Sequence, residues 1–316
     1  MNAMFNDKLP GASLYVPANH PDLTAVANGE KLAQARSLIF CTEDAVAEKD
    51  LSYALFQLGV ALQNMPVTTR SERFVRVRNV EVLGRVLAMP GADKLTGFVI
   101  PKASRHNMPS YLRHVRDTRH VLMPTLETAD VFDDAEMREF RLFLESPGVR
   151  PRILALRIGG NDLFALLGLR RPRNMTIYRT PLGPVIARLV TTFRPYGFCL
   201  TAPVFEHLDL PDLLAQEVEE DLAHGMVGKT AIHPDQIAQI ERHFMVMPRD
   251  LASAEAILAA DSPAVFKLDN SMCEVTTHRA WAQRTIAQAS HFGAYPSVDP
   301  VDKSSGSSTP SGSHRT

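Results

Sequence analysis

Short apolar runs recur along the chain with amphipathic stretches between them. Eight runs are read as strands: Ser13–Val16, Ser37–Thr42, Arg73–Arg78, Gly97–Pro101, His120–Leu126, Arg152–Ile158, Gly197–Thr201 and Gly228–Ile232. They show little strict alternation of apolar and polar positions, as expected of parallel strands covered on both faces. Strands alternating with helical stretches predict βαβ units and a parallel sheet. Eight such units predict closure into a (β/α)8 TIM-type barrel, here followed by a C-terminal helical extension.

The helical stretches carry their own signals. Asp209 is placed to cap a helix that begins near Leu210–Pro211, and Leu213, Leu214, Val218 and Leu222 recur at helical spacing. Glu217, Glu219, Glu220 and Asp221 are read as its solvated outer face, and Gly225 as its stop. Pro234 opens another helix, with Ile237, Ile240 and Phe244 facing inward. The barrel is expected over residues 1–245 and a C-terminal extension over 246–296. Within the extension, Asp250–Ala260 and His278–His291 read as helices and Ala264–Leu268 as a strand. It is expected to lie over a barrel mouth or to contact a neighbouring subunit. Residues 297–316 are rich in Ser, Pro and Gly and are expected to be disordered.

Composition narrows the class of protein. The 316 residues are 45% apolar and 22% charged, with a formal net charge of −1. A sizeable core is affordable, and nothing points to a nucleic-acid or membrane partner. Arg170-Arg171-Pro172-Arg173 reads as a solvated loop. Cys41, Cys199 and Cys273 are few and widely spaced, so no disulfide framework or metal spacing is read, and a cytoplasmic location is expected. Met1–Pro10 has no long apolar run, so no secretory signal is expected, and no window approaches a membrane span.

Catalytic groups of such barrels sit at the C-terminal ends of the strands. Glu43 and Asp44 follow the second strand, Arg76, Arg78 and Asn79 end the third, Lys102 follows the fourth and Glu127 the fifth. Asn161 and Asp162 follow the sixth after Gly159-Gly160, and His233 follows the eighth. Glu127 and Asp162 are the best pair for a hard cation, which takes one or two carboxylates and leaves its other positions to water and substrate. Alternatively, Glu127 caps a helix and Asp162 pairs with an arginine. The glycines would let backbone amides approach a substrate carboxylate. Arg76 could hold a carboxylate or stabilise an enolate, or form a structural salt bridge to Glu43 or Asp44. Lys102 could serve as a Schiff-base nucleophile only in a desolvated pocket, so a structural or phosphate-facing role is preferred, as for Lys229. The sixth strand carries Arg157 where lysine-dependent barrel aldolases commonly place their lysine, which favours the metal route. His233 is read as a hydrogen-bonding residue at a strand end.

Taken in order, these segments resemble the citrate lyase β-subunit group of the HpcH/HpaI aldolase family. The resemblance rests on Ser13-Leu14-Tyr15-Val16-Pro17, Cys41-Thr42-Glu43-Asp44-Ala45-Val46, Arg76-Val77-Arg78-Asn79 and Val99-Ile100-Pro101-Lys102. It continues through Met123–Thr128, Gly159-Gly160-Asn161-Asp162-Leu163, Gly228–Ile237 and Leu268–Met272, so it spans about Leu14 to Ala289. It implies a (β/α)8 barrel, often oligomeric, with a C-terminal extension at a neighbour's active site. It also implies Mg²⁺ on Glu127 and Asp162, Arg76 on substrate, and amides around Gly160, Asn161 and Asp162 on a carboxylate. Glu43 and Asp44 would form a second acidic shell.

The departures are informative. Ala12 stands where an arginine usually precedes the first strand, which weakens the inference of a CoA-type substrate. Cys41 replaces the first aspartate of the acidic segment, and Asn270 replaces a glycine. Glu274 stands where some CoA-using relatives have a catalytic aspartate, and is a candidate general acid or base reaching a neighbour. The pattern is more similar to the divergent carbon–carbon lyase branch encoded beside tellurium-resistance and ATP-grasp biosynthetic genes. The expected activity is Mg²⁺-dependent retro-aldol or retro-Claisen cleavage, or its reverse, of a 2-oxo or hydroxy acid or its thioester, with catalytic roles for Arg76, Glu274, Glu43 and Asp44. Two alternatives stand beside it: a non-catalytic metabolite-binding barrel or assembly subunit, and a malate-synthase type condensation.

Overall fold

A computed structural model describes residues 9–67, 70–268 and 270–296 of the chain. Strand and helix alternate along most of it. The order begins β1 (Gly11–Pro17), α1 (Leu23–Asn28), β2 (Ser37–Cys41), α2 (Leu51–Asn64), β3 (Glu72–Arg76), α3 (Val80–Leu87), β4 (Gly97–Ile100) and α4 (Met108–Val115). It continues with β5 (Val121–Leu126), α5 (Asp134–Glu145), β6 (Leu156–Ile158), α6 (Gly160–Leu166), α7 (Leu182–Phe193), β7 (Leu200–Thr201), α8 (Pro211–Ala223), β8 (Gly228–Ala231) and α9 (Asp235–Phe244). The eight strands are parallel, in the order β7-β6-β5-β4-β3-β2-β1-β8. A bridge between Ala202 and Lys229 joins the two ends, so the sheet curls into a nearly closed TIM-type barrel.

The expected strands are all present, most of them shortened. Arg152–Ile158 begins as a strand only at Leu156, because Arg150–Arg152 forms a 3-10 turn around Pro151. Gly197–Thr201 reduces to Leu200–Thr201, because Gly197 closes another such turn with φ 81°. Buried Ile39, Phe74, Val99, Met123 and Leu154 form one apolar cluster, supplied by strands or strand edges around the ring. A much larger cluster joins the strands to the helices. Two helix starts are capped as side-chain chemistry predicts: Asn79 accepts from the Val82 amide at 2.9 Å, and Asp133 from the Ala135 amide at 2.8 Å.

Three expectations on the outer layer are corrected. Asp209 does not cap α8; its carboxylate accepts from Arg173, and Leu210 occupies the capping position without a side-chain bond. Glu217 and Asp221 do not belong to a solvated face, being 0% exposed. Lys229 donates to Glu217 at 2.8 Å and to Asp221 at 2.9 Å, while Arg171 and Tyr178 meet the same two acids. Arg171 is therefore a buried partner rather than part of a solvated basic loop. The physical reason is local: Lys229 points outward from a strand covered by α8, and a buried ammonium requires carboxylates.

The described residues group into two compact units. One comprises residues 9–245 with Ser290–Phe292, and the other Val246–Ala289 with residues 293–296. The second unit contains α10 (Pro248–Leu258), an antiparallel pair of β9 (Val265–Leu268) and β10 (Ser271–Glu274), and most of α11 (Val275–Phe292). Its own small core joins Ala254, Ile257, Cys273 and Ala282. Strand β10 has no clear apolar run and was not expected from the sequence. The expected disordered tail lies outside the described residues.

Candidate active site

The barrel brings Glu43, Asp44, Arg76 and Glu127 together. Arg76 ends β3, in register with Cys41 of β2, which sets it beside the Glu43–Asp44 turn. Its Nε donates to Glu43 Oε2 at 2.8 Å, and its Nη2 donates to Asp44 Oδ2 at 3.0 Å and to Glu127 Oε1 at 3.1 Å. Burial works against its charge, but Tyr15, Glu127 and Glu43 together raise its pKa above the ordinary value. Both salt bridges of the structural alternative for Arg76 are thus made, and a third is added.

Glu127 is the most constrained of these acids. It is 2% exposed. Its Oε1 also accepts from the Lys102 amide at 2.8 Å, while its Oε2 is buried without a hydrogen-bond partner. Burial pushes its pKa up to about 7; Arg76 opposes that shift and Asp162 adds to it. Lys102 presents its amide from a left-handed backbone, φ 48°, and its ammonium side is exposed. Burial also raises the pKa of Glu43, against the pull of Arg76. Asp44 remains exposed.

The turn from β6 into α6 supplies the opposite side. A Cβ on Gly159 would lie 2.4 Å from Glu127 Oε2, so only glycine lets the turn pass this carboxylate. Gly160 is packed against Pro203, and Asp162 lies in the first turn of α6, partly exposed. Asn161 is exposed and lines a cavity of about 420 Å³ together with Arg170, Arg173, Glu206 and His207. His233 stands apart, its ring 3.4 Å from Asp235. Glu274 belongs to the C-terminal unit, exposed on β10 opposite Val265.

Sequence reasoning singled out the acids and Arg76 but gave no role to three polar side chains inside the barrel. Arg157, Thr125 and Thr201 are buried, and each leaves a polar atom without a partner. The available signal was a charged residue within the apolar strand β6.

Among the described residues no helix is long and apolar enough to cross a membrane. Known proteins place the chain more closely. A (3S)-malyl-CoA thioesterase from Cereibacter sphaeroides is 27% identical over 292 residues, 89% of this chain and 95% of that protein. A mitochondrial citramalyl-CoA lyase from Mus musculus is 25% identical over 269 residues, 79% of this chain and 75% of that protein. The crystal structure of CitE from Mycobacterium tuberculosis in complex with magnesium, acetoacetate and coenzyme A superposes with a TM-score of 0.67 at 20% identity, covering 90% of this chain and 99% of that one. It shares the barrel. The model of a C–C bond lyase family of the TIM-barrel fold matches residues 6–294, and the chain belongs to that family.

Proposed function

We propose that the protein is a Mg²⁺-dependent carbon–carbon bond lyase that cleaves, or in reverse forms, a bond in a 2-oxo or hydroxy acid or its thioester. The observation that carries this reading is the unpartnered, buried Oε2 of Glu127, lying against Gly159 on a carboxyl whose pKa is raised by burial and further by Asp162. A carboxylate oxygen held without a donor is costly unless a cation meets it. Among the described residues no three His, Cys, Asp or Glu side chains converge as a metal cluster. Two carboxylates suit Mg²⁺, which fills its remaining positions with water and substrate. Glu127 and Asp162 would hold it, and when bound it supplies Lewis-acid polarisation of the reacting acid.

The remaining residues set up the site. Arg76 fixes Glu127 Oε1, so that Oε2 is presented without rotational freedom. Its fixed positive charge lies where enolate charge develops, and a preorganised charge needs no rearrangement during the reaction. The first-turn amides of Gly160, Asn161 and Asp162 are offered to a substrate carboxylate, since the first N–H groups of a helix lack intrahelical acceptors. Asp44, exposed and bonded to Arg76, is placed to exchange a hydroxyl proton with solvent, with Glu43 beneath it. Glu274 is proposed as an acid or base offered to a neighbouring subunit of a homo-oligomer. Exposed Tyr53 and Phe56 on α2 support self-association. The names of the two relatives support a CoA thioester as the substrate class, whereas Ala12 in place of the usual arginine supports a free acid.

The test is calorimetric titration of Mg²⁺ and oxaloacetate into wild type and Asp162→Ala. Acid binding that requires Mg²⁺ and vanishes in the variant supports the site, and a CoA-dependence assay then separates thioester from free acid. Metal-independent binding, or an unaffected variant, would leave a metabolite-binding barrel as the better reading.

A further inference from the structure

The interior of the barrel is layered. On β5, Met123, Thr125 and the following Glu127 alternate with residues of the opposite face, so all three point inward. Met123 belongs to the apolar cluster with Ile39, Phe74 and Val99. Thr125 is in register with Arg157 of β6, and Arg157 with Thr201 of β7. Registered neighbours in a parallel pair share a face, so these three side chains form one polar level between the apolar plug and Glu127.

Arg157 crosses this level. Its Nη2 donates to Thr230 Oγ1 of β8 at 2.6 Å, and its guanidinium carbon lies 5.5 Å from the ring centre of Tyr15 on β1. It is 2% exposed, yet among the described residues it makes no ion pair. The other buried arginines are served: Arg76, Arg141 and Arg171 meet carboxylates, and Arg73 meets the carbonyls of Ala27 and Pro66. Arg157 Nη1, Thr125 Oγ1 and Thr201 Oγ1 are all buried without a partner. A guanidinium keeps its charge in any protein environment, so a buried one without a counter-charge calls for an anion. Tyr15 and Thr230, the two residues that Arg157 touches across the barrel, are themselves only partly buried.

We propose that Arg157, Thr125 and Thr201 form an anion subsite that holds a second carboxylate of the acid substrate and so selects dicarboxylates. The inference rests on the reading of Glu127 and Asp162 as the Mg²⁺ site beside which the first carboxylate is held. Thr125 and Glu127 are two residues apart on one strand, about 7 Å. That separation suits a short 2-oxo dicarboxylate bridging the two levels, with Nη1 of Arg157 and the two hydroxyls as donors. A monocarboxylic 2-oxo acid would leave those donors unmet.

The test compares oxaloacetate with pyruvate, both with Mg²⁺, on wild type, Arg157→Met and Arg157→Lys. Wild type should prefer the dicarboxylate about 10- to 100-fold, the worth of a charge-assisted hydrogen bond. Arg157→Met should lose that factor for oxaloacetate and change pyruvate affinity by less than about twofold, with Arg157→Lys in between. Equal wild-type affinities, or equal losses for both acids, would overturn the subsite. Thermal melting without metal keeps the result separate from the metal reading. Succinate should raise the melting temperature of wild type and not of Arg157→Met, whatever Asp162→Ala does to oxaloacetate binding. Without ligand, Arg157→Met should melt at or above wild type, because an unpaired buried charge has been removed. A lower melting point, or a succinate response shared by both proteins, would make Arg157 a strut between β6 and β8 and end the proposal.

Discussion

Gly159 and Glu127 are neighbours at closer than side-chain distance: a Cβ on the glycine would sit 2.4 Å from Oε2 and 2.5 Å from Cβ of the glutamate. Gly159 has φ −89°, so alanine suits its backbone, and Gly159→Ala acts through its clash with the whole Glu127 side chain, from Cβ to the carboxylate. Mg²⁺ affinity should fall about tenfold or more, as for other changes that tilt a metal-binding side chain. The far-ultraviolet circular dichroism should be unchanged. Calorimetry on the variant checks the loss, and unaltered affinity would separate Glu127 from the metal.

Acid should compete with the metal. Glu127 in the metal-free protein holds its proton up to about pH 7. Mg²⁺ binding must displace that proton below this pH, so affinity should drop by about tenfold per pH unit under it. Stability has the opposite sign. The folded carboxyl binds its proton more tightly than the unfolded one, so metal-free stability falls as pH rises from 4.5 to about 7. The loss is up to roughly 3 kcal/mol for a shift of this size. Denaturant melts of wild type and Glu127→Gln across that window check it: the glutamine variant should lack this part of the slope.

The outer network should matter to stability and not to the site. Lys229→Met leaves Glu217 and Asp221 buried beside each other, with Arg171 as the remaining cation. Removing one partner of a buried ionic group costs about 3–5 kcal/mol. Urea unfolding should show that loss, while Mg²⁺ affinity per folded molecule stays within about twofold, as expected of sites that share no partners.

Lys102 separates metal chemistry from amine chemistry. Its backbone is left-handed, and glycine relieves a cost of about 1 kcal/mol while keeping the amide that bonds to Glu127. Lys102→Gly should be slightly more stable than wild type and should retain Mg²⁺-dependent oxaloacetate binding. Borohydride trapping of a substrate adduct on wild-type Lys102 would show the lysine to be a nucleophile instead.

The strands were legible because parallel strands covered on both faces carry unbroken apolar runs, as Leu38–Cys41 and Phe98–Ile100 do. Glu43, Asp44, Arg76, Glu127 and Asp162 were legible as polar residues just past such runs, in a fold whose chemistry sits there. Glu217 and Asp221 were misread because acids on a surface helix are normally solvated. Their signal was spacing: with Leu214 and Val218 they continue one stripe, and all four are buried. Lys229 within a buried strand supplied the matching charge. Arg157 was harder still, since its surroundings come from four other strands, and those of β8 and β1 meet it only because the barrel closes.

That closure sets a condition on how the chain is made. β1 pairs on one side with β2 and on the other with β8, and Gly11 is in register with Gly228. During synthesis from the N-terminus, one edge of β1 stays unpaired until nearly all of the barrel sequence has emerged. An unpaired parallel edge is a template for joining other chains. The nascent protein therefore passes through a long interval of aggregation risk, and slow translation should affect its yield more than its final stability.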